Sequence, residues 1–264
     1  MILGALPLAQ SAKRVGERAL GLRRGVRRTF LSGLFFFSGC SSLSTPALKH
    51  ETGETLAKGK IRISGQIEST RMYPFVAAQS AAFGIPQGAG VFQGSLIGLS
   101  SAIGLDGKDD LQLKTYYCLG GAGWRIGTKY KAYTQGNINV AAMVGYGRYS
   151  AKGTIGMLTA TQPLDVATTL STYQVDISFP TSYRITKDSV LYSGLNYYRV
   201  GVTGSSETSF VKVVAHDLGV NFGYRIGWGK FETDAELAFV RLYDPFEDSV
   251  RFVPYLGLAA SLVF

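Results

Sequence analysis

His216 and Asp217 are the residues of this 264-residue chain whose types could activate a water molecule. A histidine serves as a general base near neutral pH, and a neighbouring carboxylate can orient its ring. Adjacent residues of a β-strand point to opposite faces, so these two side chains cannot both reach one site if they lie on a strand. The sequence also shows no second acid pair at a matching spacing. We therefore expect no catalytic residues.

The other reactive residue types form no recognisable site. Cys40 and Cys118 are the two cysteines, and their spacing to His50 and His216 makes no zinc site. A disulfide between the cysteines is not favoured, because one ends a leader and the other lies in a predicted strand. The glycine-rich stretch 120–123 lacks the lysine pattern of a phosphate-binding loop. The sequence indicates neither a metal nor a cofactor.

Alternation with period two, from Gly59 onward, predicts the elements that position every side chain. Short turns alternate with longer links such as 70–91 and 150–166, so both termini of the strand region are expected beside the short turns. If 110–126 formed one long strand, the count would fall to eight and 59–69 would stand outside. The ten predicted strands lie at about 59–69, 92–104, 110–119, 124–133, 137–149, 173–184, 190–202, 209–226, 230–242 and 250–264.

Charged residues in mid-strand positions favour a membrane barrel over a soluble one. Inside a soluble barrel such charges would be unpaired in a dry core, which is costly. In a membrane barrel they face a polar lumen while the apolar face meets lipid. The predicted fold class is therefore all-β, a transmembrane antiparallel up-and-down β-barrel of 10 strands, with 8 as the alternative. A soluble periplasmic β-protein with these charges on its surface is the competing interpretation.

The predicted lumen residues suggest a charge network. Basic residues come mainly from early strands and acids from late ones, so opposite walls would carry opposite signs. An ion-pair network filling a narrow lumen is favoured, and a path for small polar solutes is the alternative; ten strands are too few for a large pore. The predicted network comprises Arg62, Lys114, Arg125, Lys129, Lys131, Asp176, Asp217, Arg225, Glu232, Asp234 and Glu236.

Residues 1–39 have the order of an export signal, with a basic segment, a short apolar segment and small residues. The end of this segment, 37–40, resembles the lipobox of bacterial lipoprotein signals, which would make Cys40 the lipid-attachment residue; ordinary signal-peptidase cleavage is the alternative. The stretch 27–31 resembles a twin-arginine motif, although an ordinary basic region is favoured. Residues 1–22 precede the usual layout, as an upstream start codon would produce. Residues 40–57 are predicted to be a periplasmic linker and 58–264 the barrel.

The net charge of +9 is largely a property of the leader. Seven basic residues and one acid lie within 1–39, which leaves about +3 for the rest. No basic stripe with interleaved aromatic residues follows, so nucleic acid is not an expected partner.

The carboxyl terminus alternates apolar residues and ends on Phe264. This pattern resembles the assembly signal of Gram-negative outer-membrane barrel proteins. The resemblance implies that Ala260, Leu262 and Phe264 are recognised by the barrel assembly machinery and that the barrel contacts outer-membrane lipids. It leaves the oligomeric state open. The expected function is non-enzymatic, either a structural or surface role or the passage of small solutes.

Omptin proteases are ten-stranded barrels with His and Asp groups near one rim. His216 and Asp217 resemble that pair by residue type only. An omptin-like hydrolase using His216 is therefore retained as the alternative function.

Overall fold

The computed structural model describes residues 42–43, 47–74, 92–118, 121–158, 163–206, 210–244 and 249–264. The predicted export signal and the predicted lipid attachment at Cys40 lie outside the described residues.

The described residues form β-strands joined by turns, and they contain no helix long and apolar enough to cross a membrane. The strands are β1 (Ser42–Leu43), β2 (Ile61–Pro74), β3 (Phe92–Gly104), β4 (Asp109–Cys118), β5 (Gly121–Gln135), β6 (Ile138–Leu158), β7 (Pro163–Thr186), β8 (Ser189–Ser206), β9 (Phe210–Trp228), β10 (Phe231–Asp244) and β11 (Ser249–Val263).

Strands β2 to β11 close into an antiparallel barrel of ten strands. Each strand pairs with the next, and β11 pairs back with β2, in a register that places Leu258 opposite Ile67. The backbone N–H groups of Ile61 and Phe264 each donate to the other residue's carbonyl oxygen, at 3.2 and 2.9 Å. The predicted ten-stranded all-β barrel is confirmed. The eight-stranded alternative is wrong, because β4 and β5 are separate strands paired from Asp109–Tyr130 to Cys118–Gly121.

Strands β6 and β7 are longer than the sequence predicts. The predicted link at 150–166 is largely paired strand, with a register that continues from Ser150 opposite Ser171 to Leu158 opposite Pro163. Pairing with β5 stops where Gly121 faces Ala151. The β6–β7 hairpin therefore continues beyond the edge of β5, held by its own backbone hydrogen bonds.

The barrel has two different ends. Short turns at 105–108, 136–137, 187–188 and 229–230 lie at one end, together with Phe264, and we call this the turn end. Gly107, Gly136 and Gly229 have positive φ angles there, a conformation that glycine adopts without steric cost. The remaining links between barrel strands leave from the opposite end, which we call the loop end.

The outer face of the barrel is apolar. Isoleucine and leucine side chains such as Ile67, Leu113 and Leu195 are exposed along the strands. Exposed aromatic rings lie near the turn end and again toward the loop end, as in membrane barrels, where rings sit at both interfaces. They include Tyr130, Tyr183, Trp228, Phe231 and Phe264 near the turn end, and Tyr117, Trp124, Tyr146 and Phe252 toward the loop end.

Candidate functional site

The lumen is occupied by the chain's own residues 47–57, which we call the plug. Leu48, His50 and Thr52 are each no more than 5% exposed, although the plug belongs to no strand of the barrel. The prediction of a periplasmic linker over 40–57 therefore does not hold for residues 47–57, which lie inside the barrel. Its polar and charged composition, which suits a solvated linker, equally suits a lumen lined by polar and charged groups.

The plug runs along the barrel from the middle toward the turn end. The carbonyl oxygen of Ala47 accepts a hydrogen bond from the Tyr198 hydroxyl, 2.7 Å away in the middle of β8. The Leu56 N–H donates to the Asp110 carboxylate, at 2.9 Å, near the start of β4 and the turn end. A turn at Lys58–Gly59 then leads the chain into β2.

Strand β1, which precedes the plug in the sequence, lies toward the loop end. Strand β1 pairs with the final residues of β2, Leu43 opposite Tyr73 and Ser42 opposite Pro74. These residues of β2 are far from the turn end, where β2 begins at Ile61. Both ends of the strand region, Ile61 and Phe264, lie at the turn end as expected, whereas β1, which precedes the plug, pairs near the loop end.

Asp176 joins the plug to the barrel wall. Its carboxylate accepts two hydrogen bonds from the Arg125 guanidinium, at 2.8 and 2.7 Å. The ammonium of Lys49, from the plug, approaches the same carboxylate at 2.8 Å. Asp176 is fully buried, so its charge depends on these two cations. Such bidentate, charge-assisted bonds are among the strongest in proteins.

His50 is held between two acids of β10. Its backbone N–H donates to Glu236 at 2.6 Å, and its ring Nδ1 makes a short contact with Asp234. Arg225 pairs with Asp234 at 3.3 Å and donates to the His50 carbonyl oxygen at 2.6 Å. His50 has a φ of 52°, a conformation that costs a non-glycine residue about 1 kcal/mol or more. These hydrogen bonds keep the plug in that conformation.

Lys129 binds the plug from the opposite strands. Its ammonium lies 2.7 Å from Glu51 of the plug and 3.2 Å from Asp110 of β4. Closer to the turn end, Glu54 accepts two hydrogen bonds from Arg184, at 3.0 and 2.6 Å. The Glu54–Arg184 pair is partly exposed, so it contributes less than the buried pairs.

Close packing around the plug requires glycine on the inner wall at particular positions. A Cβ atom on Gly223 would lie 2.1 Å from the Tyr192 ring, whose hydroxyl donates to Glu236 at 3.2 Å. A Cβ on Gly145 would lie 2.3 Å from the Arg125 guanidinium. Because glycine has no side chain, Gly223 leaves room for the Tyr192 ring and Gly145 leaves room for the Arg125 guanidinium.

The space left beside the plug is small. A cavity of about 30 Å³ lies next to Arg62, Gln112 and Lys114. This volume suits about one or two water molecules. At this level the described side chains of the wall and the plug leave room beside them for water only.

The predicted lumen charges lie on the inner face and several of them contact the plug, but they do not form two walls of opposite sign. Glu68 and Asp110 place acids on β2 and β4, among the early basic residues, and Glu68 pairs with Lys114. Arg62 reaches Glu232 across the β2–β11–β10 surface at 3.0 Å. Lys131 and Glu232 are half-buried near the turn end, and the other predicted lumen residues are buried: Arg62, Lys114, Arg125, Lys129, Asp176, Asp217, Arg225, Asp234 and Glu236.

The plug supplies ion-pair partners for wall residues that were not predicted from the sequence. Lys49, His50, Glu51 and Glu54 lie in the predicted linker, and their residue types suit a solvated segment as well as a charged lumen, so the sequence offered no signal that separates the two. Each of them contacts a wall residue that is distant in the sequence.

His216 and Asp217 do not form a site together. His216 is exposed on the outer face, where its Nδ1 lies 2.6 Å from the Tyr197 hydroxyl. Asp217 is buried on the inner face. The pair is therefore divided between the two faces of β9, as strand geometry requires.

The residues of the predicted assembly signal share the outer face of β11. Ala260, Leu262 and Phe264 are exposed, and Leu262 pairs with Phe231 of β10 and Ile63 of β2. This last strand therefore presents apolar side chains on the outer face, next to the barrel closure.

Comparisons with known proteins find likeness in structure only. No protein-family model and no curated protein matches the chain. The structure is similar to the outer membrane protease OmpT from Escherichia coli, with 14% identity, a TM-score of 0.41, and coverage of 81% of this chain and 99% of that one. It is also similar to the translocator domain of the autotransporter NalP from Neisseria meningitidis, with 11% identity, a TM-score of 0.44, and coverage of 94% and 96%. Likeness at this level carries no argument about function.

The barrel's own architecture gives its location. A closed antiparallel barrel with an apolar outer face, aromatic residues toward both ends and a charged interior is the form that spans bacterial outer membranes. A soluble barrel would not expose this apolar surface to water. The chain is an outer-membrane β-barrel.

Proposed function

We propose that this protein is a non-enzymatic outer-membrane barrel with a structural or surface role, whose lumen is kept closed by its plug. The observation that carries the proposal is the occupation of the lumen by 47–57, with the charges of wall and plug paired to each other. A lumen built for solute passage would leave its charged groups facing water. Here Asp176, Lys129 and Asp234 each contact a side chain of the plug.

The ion pairs favour a plug that stays in place. Breaking a buried pair by removing one partner costs about 3–5 kcal/mol, because it leaves a charge without compensation. Several such pairs would have to open before the plug could leave. Passage of small polar solutes is thus the less supported form of the non-enzymatic role.

The hydrolase alternative has little support from the described residues. His216 faces outward and lies beside Tyr197, away from the polar interior. His50 is committed through its ring and backbone to Asp234 and Glu236. Neither histidine stands in an open cleft where a substrate and an activated water could meet it.

The carboxyl-terminal strand is expected to be the part that the barrel assembly machinery recognises. Ala260 and Leu262 of β11 and Phe264, which directly follows the strand, are all exposed on the outer side, so they form one continuous apolar surface. Lipids of the outer membrane would contact the same face after insertion.

Planar-bilayer recording tests the closed lumen. We expect the wild-type barrel to be electrically silent, and the double variant Lys49→Ala/Glu51→Ala to show conductance steps because the plug loses two charged contacts. Lys187→Ala/Asp188→Ala is a matched control, since it removes one cation and one anion from an exposed turn. The control should remain silent.

Two results would contradict the proposal. A large, steady conductance of the wild-type protein would mean that the lumen is open and that solute passage is the function. A silent Lys49→Ala/Glu51→Ala barrel, correctly folded by its heat-dependent gel mobility, would mean that these contacts do not keep the lumen closed.

A further inference from the structure

The two ends of the barrel can be assigned to the two sides of the membrane. Outer-membrane barrels have short turns on the periplasmic side and longer loops at the cell exterior. Short turns and Phe264 lie together at the turn end. The turn end therefore faces the periplasm and the loop end faces the exterior.

The plug runs in a fixed direction, from the turn end to the middle of the barrel. Thr55 donates to the carbonyl oxygen of Gly107 in a turn at the turn end, at 2.8 Å. Moving toward the amino terminus, His50 contacts Asp234 a few residues into β10, and Ala47 reaches Tyr198 in the middle of β8. Each step back along the chain is a step away from the periplasmic side.

Strand β1, which precedes the plug in the sequence, lies still farther from the turn end. Leu43 pairs with Tyr73, and Ser42 with Pro74, at the end of β2 nearest the loop end. An extended chain advances about 3.3 Å per residue, so the stretch from 43 to 57 is long enough to descend past the paired length of β2. Strand β1 also lies beside β7, whose hairpin with β6 extends toward the exterior.

The geometry points to a chain that is threaded through its own barrel, so that the mature amino terminus is displayed at the cell surface. The plug is the part of this segment that stays inside the lumen. Its ion pairs with the wall hold the displayed segment in position. A lipid or any partner that binds the mature amino terminus would then be located outside the cell, not in the periplasm.

The inference goes beyond the closed lumen and does not depend on it. A barrel with its amino terminus in the periplasm could still be electrically silent, and a threaded barrel could still conduct beside its plug. The location of the amino terminus and the conductance are therefore separate measurements.

An epitope tag inserted between Ser41 and Ser42 tests the threading. On intact cells we expect an antibody to bind this tag, and an added protease to remove it. The same tag inserted between Lys187 and Asp188, in an exposed turn at the turn end, is the matched control. That control should be detected only after the outer membrane has been permeabilised.

A single cysteine substitution tests the same point in case the inserted tag prevents assembly of the barrel. Ser42→Cys in a Cys118→Ser background is treated on intact cells with a maleimide too large to cross the outer membrane, and Asp188→Cys in the same background is the control. The Cys118→Ser chain alone gives the baseline set by Cys40. Labelling of Ser42→Cys above that baseline, without labelling of Asp188→Cys, supports the proposal.

Detection of the residue 41–42 tag, or labelling of Ser42→Cys, only after permeabilisation would overturn the inference. Absence of labelling under both conditions would also overturn it, because a displayed segment must be accessible from the cell surface. Folding of every variant is checked by its heat-dependent gel mobility.

Discussion

At the scale of single residues, the interior is organised by charges that are shared between the wall and the plug. Asp176 binds Arg125 of β5 and Lys49 of the plug, and Lys129 binds Asp110 of β4 and Glu51 of the plug. Each of these two charges has one partner on another strand of the wall and one on the plug. Without the plug, Asp176 and Lys129 would each lose one of their two ion-pair partners.

Asp176→Asn should destabilise the barrel by about 3–5 kcal/mol, because Arg125 and Lys49 would become buried cations without a counter-charge. The measurement is the urea midpoint of unfolding in detergent, followed by tryptophan fluorescence or gel mobility. Asp188→Asn is the control, because Asp188 is 54% exposed and its pair with Lys187 spans 3.9 Å. If both variants unfolded at the same midpoint, water rather than Asp176 would be satisfying the two cations.

At the scale of elements, the short turns set the register of the hairpins that carry these charges. The Asp106 carboxylate accepts hydrogen bonds from the backbone N–H groups of Lys108 and Asp109, at 2.7 and 2.9 Å. Gly107, which lies between Asp106 and Lys108, has a positive φ angle. The turn thereby fixes how β3 meets β4, and with it the position of Asp110.

Asp106→Ala should lower stability at neutral pH and have no effect in acid. The two backbone N–H donors hold the pKa of Asp106 below its ordinary value of 3.8. A lowered pKa in the folded state gives stability that is complete above the unfolded-state pKa and is lost as the pH falls through the folded-state value. The urea midpoints of wild type and variant should therefore differ at pH 7 and converge as the pH falls below 3.8 and through the folded-state pKa of Asp106.

Asp109→Ala is the comparison variant, because it removes a neighbouring half-buried carboxyl group from the first residue of β4, next to the same turn. A difference between Asp106→Ala and wild type that stayed constant into acid would show that the effect comes from packing or turn propensity and not from the carboxylate.

At the scale of the whole molecule, closure between the first and last barrel strands makes the lumen a separate compartment. The Ser64 and Ser261 hydroxyls meet inside the barrel at 2.7 Å, in the register that pairs these two residues. Without this pairing, β2 and β11 would both be edge strands with open backbone groups in the membrane, which is costly.

Ser64→Cys/Ser261→Cys, in a Cys118→Ser background, should form a disulfide under oxidising conditions. The two serine hydroxyls already meet at 2.7 Å, and directly opposed strand residues have Cα atoms about 4.5–5.5 Å apart, which is within the range that a disulfide spans. The cross-linked chain should keep a faster gel mobility after boiling until a reductant is added. Ser64→Cys/Ala259→Cys is the matched control, offset by two residues on the same face. Equal cross-linking of both pairs would contradict the register of closure.

Much of the barrel wall was determined by the sequence itself. Strands have a side-chain period of two, so local alternation in stretches such as 173–184 predicts both the strand and its inner face. The positions of Lys129, Asp176 and Arg225 inside the barrel follow from that local rule. The extension of β6 and β7 through 150–166 does not, because it depends on pairing between two segments and not on alternation alone.

The plug was decided only by the tertiary structure. Residues 47–57 lack alternation, and their polar side chains are equally suited to water and to a charged lumen. Their location depends on contacts between residues far apart in the chain, such as Lys49 with Asp176 and His50 with Asp234. Such partners exist only once the barrel has closed, since closure removes water from the lumen and makes an unpaired charge there costly.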